Sequence, residues 1–206
     1  PTTNVPVFDL ENRSAGNSYK DISKYIYRQN VLNPYEEYSH GIYVQEQIDI
    51  SIVKVLVGLR QEWFTEILNK GTDKETQTET KAFIPRVGLV IEASENINLY
   101  STWVKGFQPQ GANIQSDPER YGGPFDYVES ELHEIGLKTE WFNKRLNATL
   151  SVFKIKQENS LEQSAKTGKP DWRVPVDEES NGFEVDVAGR IAPNWSVVAN
   201  YAYTDA

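Results

Sequence analysis

The strongest constraint in this chain is a period of two that arrives in matched pairs of runs. In Glu131–Gln157, His133, Ile135, Leu137, Thr139 and Trp141 share one face, against Glu134, Gly136, Lys138 and Glu140. After the polar turn Asn143-Lys144-Arg145, Leu146, Ala148, Leu150 and Val152 oppose Asn147, Thr149 and Ser151. Side chains of a strand alternate between faces, so each run has one apolar and one polar face. A transmembrane strand needs about 9–11 residues, and both runs have that length.

Three further hairpins repeat the pattern. In Gly41–Trp63, Ile42, Val44, Ile48 and Ile50 oppose Tyr43, Gln45, Gln47 and Asp49. Past Ser51-Ile52, Val53, Val55, Val57, Leu59 and Trp63 oppose Lys54, Gly58, Arg60 and Glu62. Ala82–Ala93 and Ile97–Phe107 are joined by Ser94–Asn96, with Phe83, Val87, Leu89, Ile91, Leu99 and Trp103 on one face. Gly182–Ile191 and Trp195–Tyr203 are joined by Ala192-Pro193-Asn194. The connections between hairpins are long: Phe64–Lys81, Gln108 to about Ser130, and Glu158 to about Ser180. Residues 1–40 have no sustained periodicity and are expected to be loop, with a short helical piece around Tyr19–Tyr27.

Short and long connections alternate strictly. Outer-membrane barrels sort their connections this way, because periplasmic turns are short and extracellular loops long. Trp63 and Trp103 lie by long loops, Trp141 and Trp195 by short turns, as two interfacial girdles require. The expected fold is all-β, an antiparallel up-and-down transmembrane barrel wall of about eight strands. A solvated β-sandwich and a passive porin-like barrel are the alternative readings.

Composition narrows the function classes. The net charge of -9 argues against nucleic acid as a partner. No run of about 18 apolar residues exists, so no helix is expected to span a membrane. The chain has no cysteine, hence no disulfide or thiol chemistry. It starts PTTNVPVF, without a charged or apolar leader, which reads as a cytosolic protein or a piece of something longer.

No catalytic constellation emerges, and the chain is not expected to be an enzyme or to hold a cofactor. There is no nucleophile elbow and no P-loop. His40 and His133 are the only histidines and stand apart in sequence, so no metal site is expected. Asp117, Glu119 and Asp126 lack the spacing of a calcium hand. The charged residues Lys54, Arg60, Glu62, Arg86, Glu92, Glu134, Lys138, Glu140, Glu184, Asp186 and Arg190 share the polar face, as suits a wide aqueous lumen. For ligand binding the candidates lie where long loops meet strands: Phe107, Gln108, Gln110, Tyr121, Phe125, Tyr127 and Trp172. They combine apolar faces with hydrogen-bonding tips, as a concave ligand site requires.

Four stretches resemble the barrel of TonB-dependent outer-membrane receptors of the ferric-siderophore type. They are GIYVQEQIDI…VLVGLRQEW (Gly41–Trp63), FIPRVGLVIEASENINLYSTWVKGFQPQ (Phe83–Gln110), PFDYVESELHEIGLKTEWFNKRLNATLSVFKI (Pro124–Ile155) and GFEVDVAGRIAPNWSVVANYAYTDA (Gly182–Ala206). The resemblance implies a barrel of about 22 strands around an N-terminal plug, set in the outer membrane of a Gram-negative bacterium. It also implies a ferric siderophore as ligand, outer-membrane lipid around the wall and energy from the TonB complex acting through the plug. On that resemblance residues 1–40 are an extracellular loop region and 41–206 are four hairpins. The plug, the energy-coupling box and the later strands are not expected in this stretch.

Overall fold

The computed structural model describes residues 34–164 and 168–206. They form one eight-stranded antiparallel sheet whose spatial order equals the chain order. The strands are β1 (Tyr35–Ile50), β2 (Val53–Leu68), β3 (Thr76–Ser94), β4 (Ile97–Gln108), β5 (Val128–Trp141), β6 (Leu146–Gln163), β7 (Arg173–Ala192) and β8 (Trp195–Asp205). Two single-turn helices, α1 (Ala112–Gln115) and α2 (Pro118–Tyr121), sit between β4 and β5. The helical piece expected at Tyr19–Tyr27 lies outside the described residues.

The register carries the two faces across the whole sheet. One row runs Ile48, Val55, Leu89, Ser101, Ile135, Val152, Phe183 and Tyr203, each opposite the next. A second runs Leu99, Leu137, Leu150, Val185 and Tyr201. This apolar face is uncovered: Ile135 is 61% exposed, Val152 53% and Tyr201 59%. An apolar surface of that extent is a membrane or partner surface, not a solvated one. Trp195 and Tyr203 bracket it on β8, eight residues apart, or roughly 26 Å along a strand at about 3.3 Å per residue. At a tilt of about 40° that spans roughly 20 Å, close to the apolar band of an outer-membrane barrel. The opposite face is polar and holds the buried Glu62 and Ser151.

The strands run further on the long-loop side than the alternating pattern indicates. The loop expected at Phe64–Lys81 contracts, because Thr76–Thr80 pair with Phe64–Leu68. Similarly, Ser160–Gln163 pair with Arg173–Val176, and β1 already begins at Tyr35, inside the stretch 1–40 expected to be loop. The reason is physical: beyond the bilayer both faces of a strand meet water, so the ladder continues without an apolar phase to mark it. Pro85 accordingly falls inside β3 and not near its start. It lies one residue past Arg86, the last β3 residue paired to β4, so its missing N–H leaves no gap in that ladder.

Candidate ligand-binding site

Among the described residues, the connection between β4 and β5 is the largest structure on the long-loop side, and its fold follows from local signals. Asp117 caps α2 by accepting the Arg120 N–H at 3.1 Å, and Pro118 occupies the first turn where no donor is needed. Gly122 ends the helix with φ 97° and donates its N–H to Pro118 O at 2.8 Å. Gln115 fastens the return: its Nε2 donates to Phe125 O at 2.6 Å, and its Oε1 accepts the Phe125 N–H at 2.8 Å. On the other side α1 lies against β2 and β3, where Ala82, Ala112 and Glu66 are buried.

A bulge in β6 anchors both ends of this connection. The β6–β7 register shifts between Gln157 and Ser160, and Asn159 takes φ 62° there, a conformation that asparagine tolerates. Asn159 O accepts from Gln110 Nε2 at 2.7 Å, and Asn159 Nδ2 donates to Tyr127 O at 3.3 Å. Gln110 is thereby buried and its amide N–H committed to the fold.

A second long-loop segment, Lys169–Trp172, packs beside the first. Arg120 Nε and Nη2 converge on one oxygen of Asp171 at 2.8 and 2.7 Å. Lys169 Nζ donates to Glu119 O at 2.6 Å and lies 4.9 Å from the Trp172 ring centre. The Trp172 indole fills the space above Gly122, where a Cβ would fall 2.7 Å from the ring. The hydrogen bond to Asp171 holds Arg120 further above its ordinary pKa.

The candidate residues therefore separate into groups. Tyr121 and Trp172 belong to the two joined segments, half-buried, with the Arg120 guanidinium 5.1 Å from the Tyr121 ring centre. Phe107 and Tyr127 meet edge to face, centroids 5.8 Å apart and planes at 86°. Phe107 shares the strand phase of Trp103, which places it on the outward face. Gln108 is exposed at the end of β4, opposite Val128, and Phe125 is held by Gln115 through its backbone. Arg120, Gly122, Asn159, Lys169 and Asp171 were not among the candidates. The run Asp-Pro-Glu-Arg-Tyr-Gly carries a helix start and stop that mark Gly122, whereas no local signal joins Arg120 to Asp171.

Away from the loops, several polar-face charges are engaged by their neighbours on the wall. Lys54 pairs with Glu92 at 3.1 Å, Arg60 with Glu62, and Lys138 sits 4.8 Å from the Tyr100 ring centre. At the upper margin of the apolar face, Glu131 Oε1 takes the Trp103 indole N–H at 2.8 Å and lies 2.6 Å from His133 Nε2.

An eight-stranded up-and-down sheet with an uncovered apolar face, aromatic margins and a charged opposite face defines a piece of an outer-membrane barrel wall. The family model for the TonB dependent receptor-like beta-barrel matches residues 2–206, and the chain belongs to that family. Its members are receptors, not enzymes. The chain is 29% identical to the metal-pseudopaline receptor of Pseudomonas aeruginosa over 172 residues, 79% of this chain and 23% of that protein. It is 30% identical to the ferripyoverdine receptor of the same species over 135 residues, 62% of this chain and 16% of that protein. Among solved structures, the ferripyoverdine-bound receptor of P. aeruginosa matches 82% of this chain with a TM-score of 0.70 at 23% identity, over 23% of its own length. The alcaligin receptor of Bordetella pertussis matches 82% of this chain with a TM-score of 0.65 at 22% identity, over 30% of its own length. The chain thus spans less than a third of each of these relatives.

Proposed function

We propose that the receptor containing this chain takes up ferric siderophores across the outer membrane with energy from the TonB complex. The observation that carries the reading is the family match over residues 2–206, together with relatives that are ferric-pyoverdine and metal-pseudopaline receptors. In this reading the apolar face meets lipid, the charged face lines the lumen, and the long loops receive the chelate outside the cell. Residues 1–40 lie on the extracellular side in the same reading, those from Tyr35 onward as the outer end of β1, with the plug supplied elsewhere in the receptor. The binding surface is drawn from Tyr121 and Trp172 on the joined segments, with Gln108 and Phe125, whereas Tyr127, packed on Phe107, goes with the wall. Phe107 and Gln110 are assigned to the wall and to the Asn159 anchor.

The test is uptake of radiolabelled iron by cells lacking their own siderophore receptors and expressing the full receptor. Uptake that requires both the receptor and TonB supports the reading. Uptake that persists without TonB favours a passive pore instead. A second cargo is suggested by the metal-pseudopaline relative, whose name specifies a metal chelate without restricting it to iron. Competition between ferric and non-ferric chelates in the same cells separates the two.

A further inference from the structure

Two loop segments distant in sequence meet through three contacts of different chemistry. Arg120 points two nitrogens at one Asp171 oxygen, and Lys169 donates to the Glu119 carbonyl. The Lys169 ammonium rides over Trp172, whose indole in turn occupies the space that a side chain at position 122 would need. Gly122 satisfies two demands at once, since its φ of 97° is a left-handed conformation and any Cβ there meets the ring. The segments carrying Tyr121 and Trp172 are therefore held together by the fold before any ligand arrives. Preorganisation of this kind reduces the ordering that binding would otherwise require.

We propose that Arg120 and Asp171 are positioning residues, which join the two segments into one platform so that Tyr121 and Trp172 meet a chelate together. This rests on the uptake reading above. Neither residue is assigned contact with the ligand. Their action is on the relative placement of the two rings, and it depends on the pair and not on either charge alone.

The test uses the full receptor with Arg120→Ala, Asp171→Ala and the reversed pair Arg120→Asp with Asp171→Arg. Gly122→Ala serves as an independent route to the same defect. Heat-modifiable gel migration checks that each variant forms its barrel. Amide hydrogen exchange reads the joint without ligand: Arg120→Ala must accelerate exchange at Lys169–Trp172, on the other segment. Binding is measured with ferripyoverdine and with a metal–pseudopaline complex as probes. For whichever probe the wild type binds, affinity is expected to fall about two- to fivefold in both single variants and to fall also in Gly122→Ala. The reversed pair must recover both exchange protection and affinity. Accelerated exchange with unchanged affinity overturns the positioning role and leaves the uptake reading standing. Unchanged exchange overturns the joint itself. A wild-type receptor that binds neither probe and gives no TonB-dependent iron uptake overturns the uptake reading and the positioning role together, and exchange still decides whether the segments are joined.

Discussion

Tyr100 lies flat across Gly136, its direct partner in the β4–β5 ladder. A Cβ built at Gly136 would sit 2.4 Å from the ring, so the phenol fills the space that a side chain would take. Phe153 covers Gly182 in the same manner between β6 and β7. Gly136→Val should force Tyr100 off the wall and destabilise the barrel by about 1–3 kcal/mol, the usual penalty for overpacking. Reversible folding of the receptor into bilayers measures it. Adding Tyr100→Ala should return part of the loss, because the two positions contend for one volume.

The outward row predicts a different response. Leu150, 47% exposed and flanked by Leu137 and Val185, lies within the apolar band. Leu150→Arg should destabilise folding into a bilayer by about 2–4 kcal/mol, whereas Thr149→Arg, on the lumen face, should be much milder. Equal effects at the two neighbours would contradict the assignment of faces.

Connection lengths predict sidedness. Cysteines at Asp73, in the connection before β3, and at Asn194, in the turn before β8, are to be probed with an impermeant thiol reagent on intact cells. Asp73→Cys should label and Asn194→Cys should not. The opposite pattern would invert the barrel.

At the outer end of β1, Glu36 accepts hydrogen bonds from Lys70 and Tyr38, and the Lys70 bond is the larger cause of a carboxyl pKa below the ordinary range. A depressed folded-state value means the contact is present above the ordinary carboxylate pKa and is lost as pH falls through the lowered one. Acidification through that range should raise hydrogen exchange in the connection carrying Lys70 without unfolding the barrel. Lys70→Ala should move the Glu36 titration, followed by infrared absorption of a labelled carboxylate, back upward.

The hairpins and their faces were legible because a bilayer on one side and a lumen on the other impose a two-residue phase. That same cause explains what was not legible. In Gly71–Thr80 (GTDKETQTET) no residue is apolar, so the five that pair with Phe64–Leu68 have no phase to betray a strand. Within the site, the parity that Phe107 shares with Trp103 already places it outward. Gln110 turns inward for a reason that only the bulge at Asn159 supplies. Arg120 and Asp171 meet across a separation that no local spacing encodes.

Each strand packs mainly on the strand before it and the strand after it. Such a wall is energetically one-dimensional, akin to a stack of repeats in which stability is summed joint by joint. No residue at its centre holds distant strands together, and none of the largest side chains among the described residues is fully buried. A fault in one hairpin is therefore felt first by its two neighbours. A wall built this way can also gain or lose a hairpin without redesign of the remainder, which makes circumference a quantity that evolution can change in units of two strands.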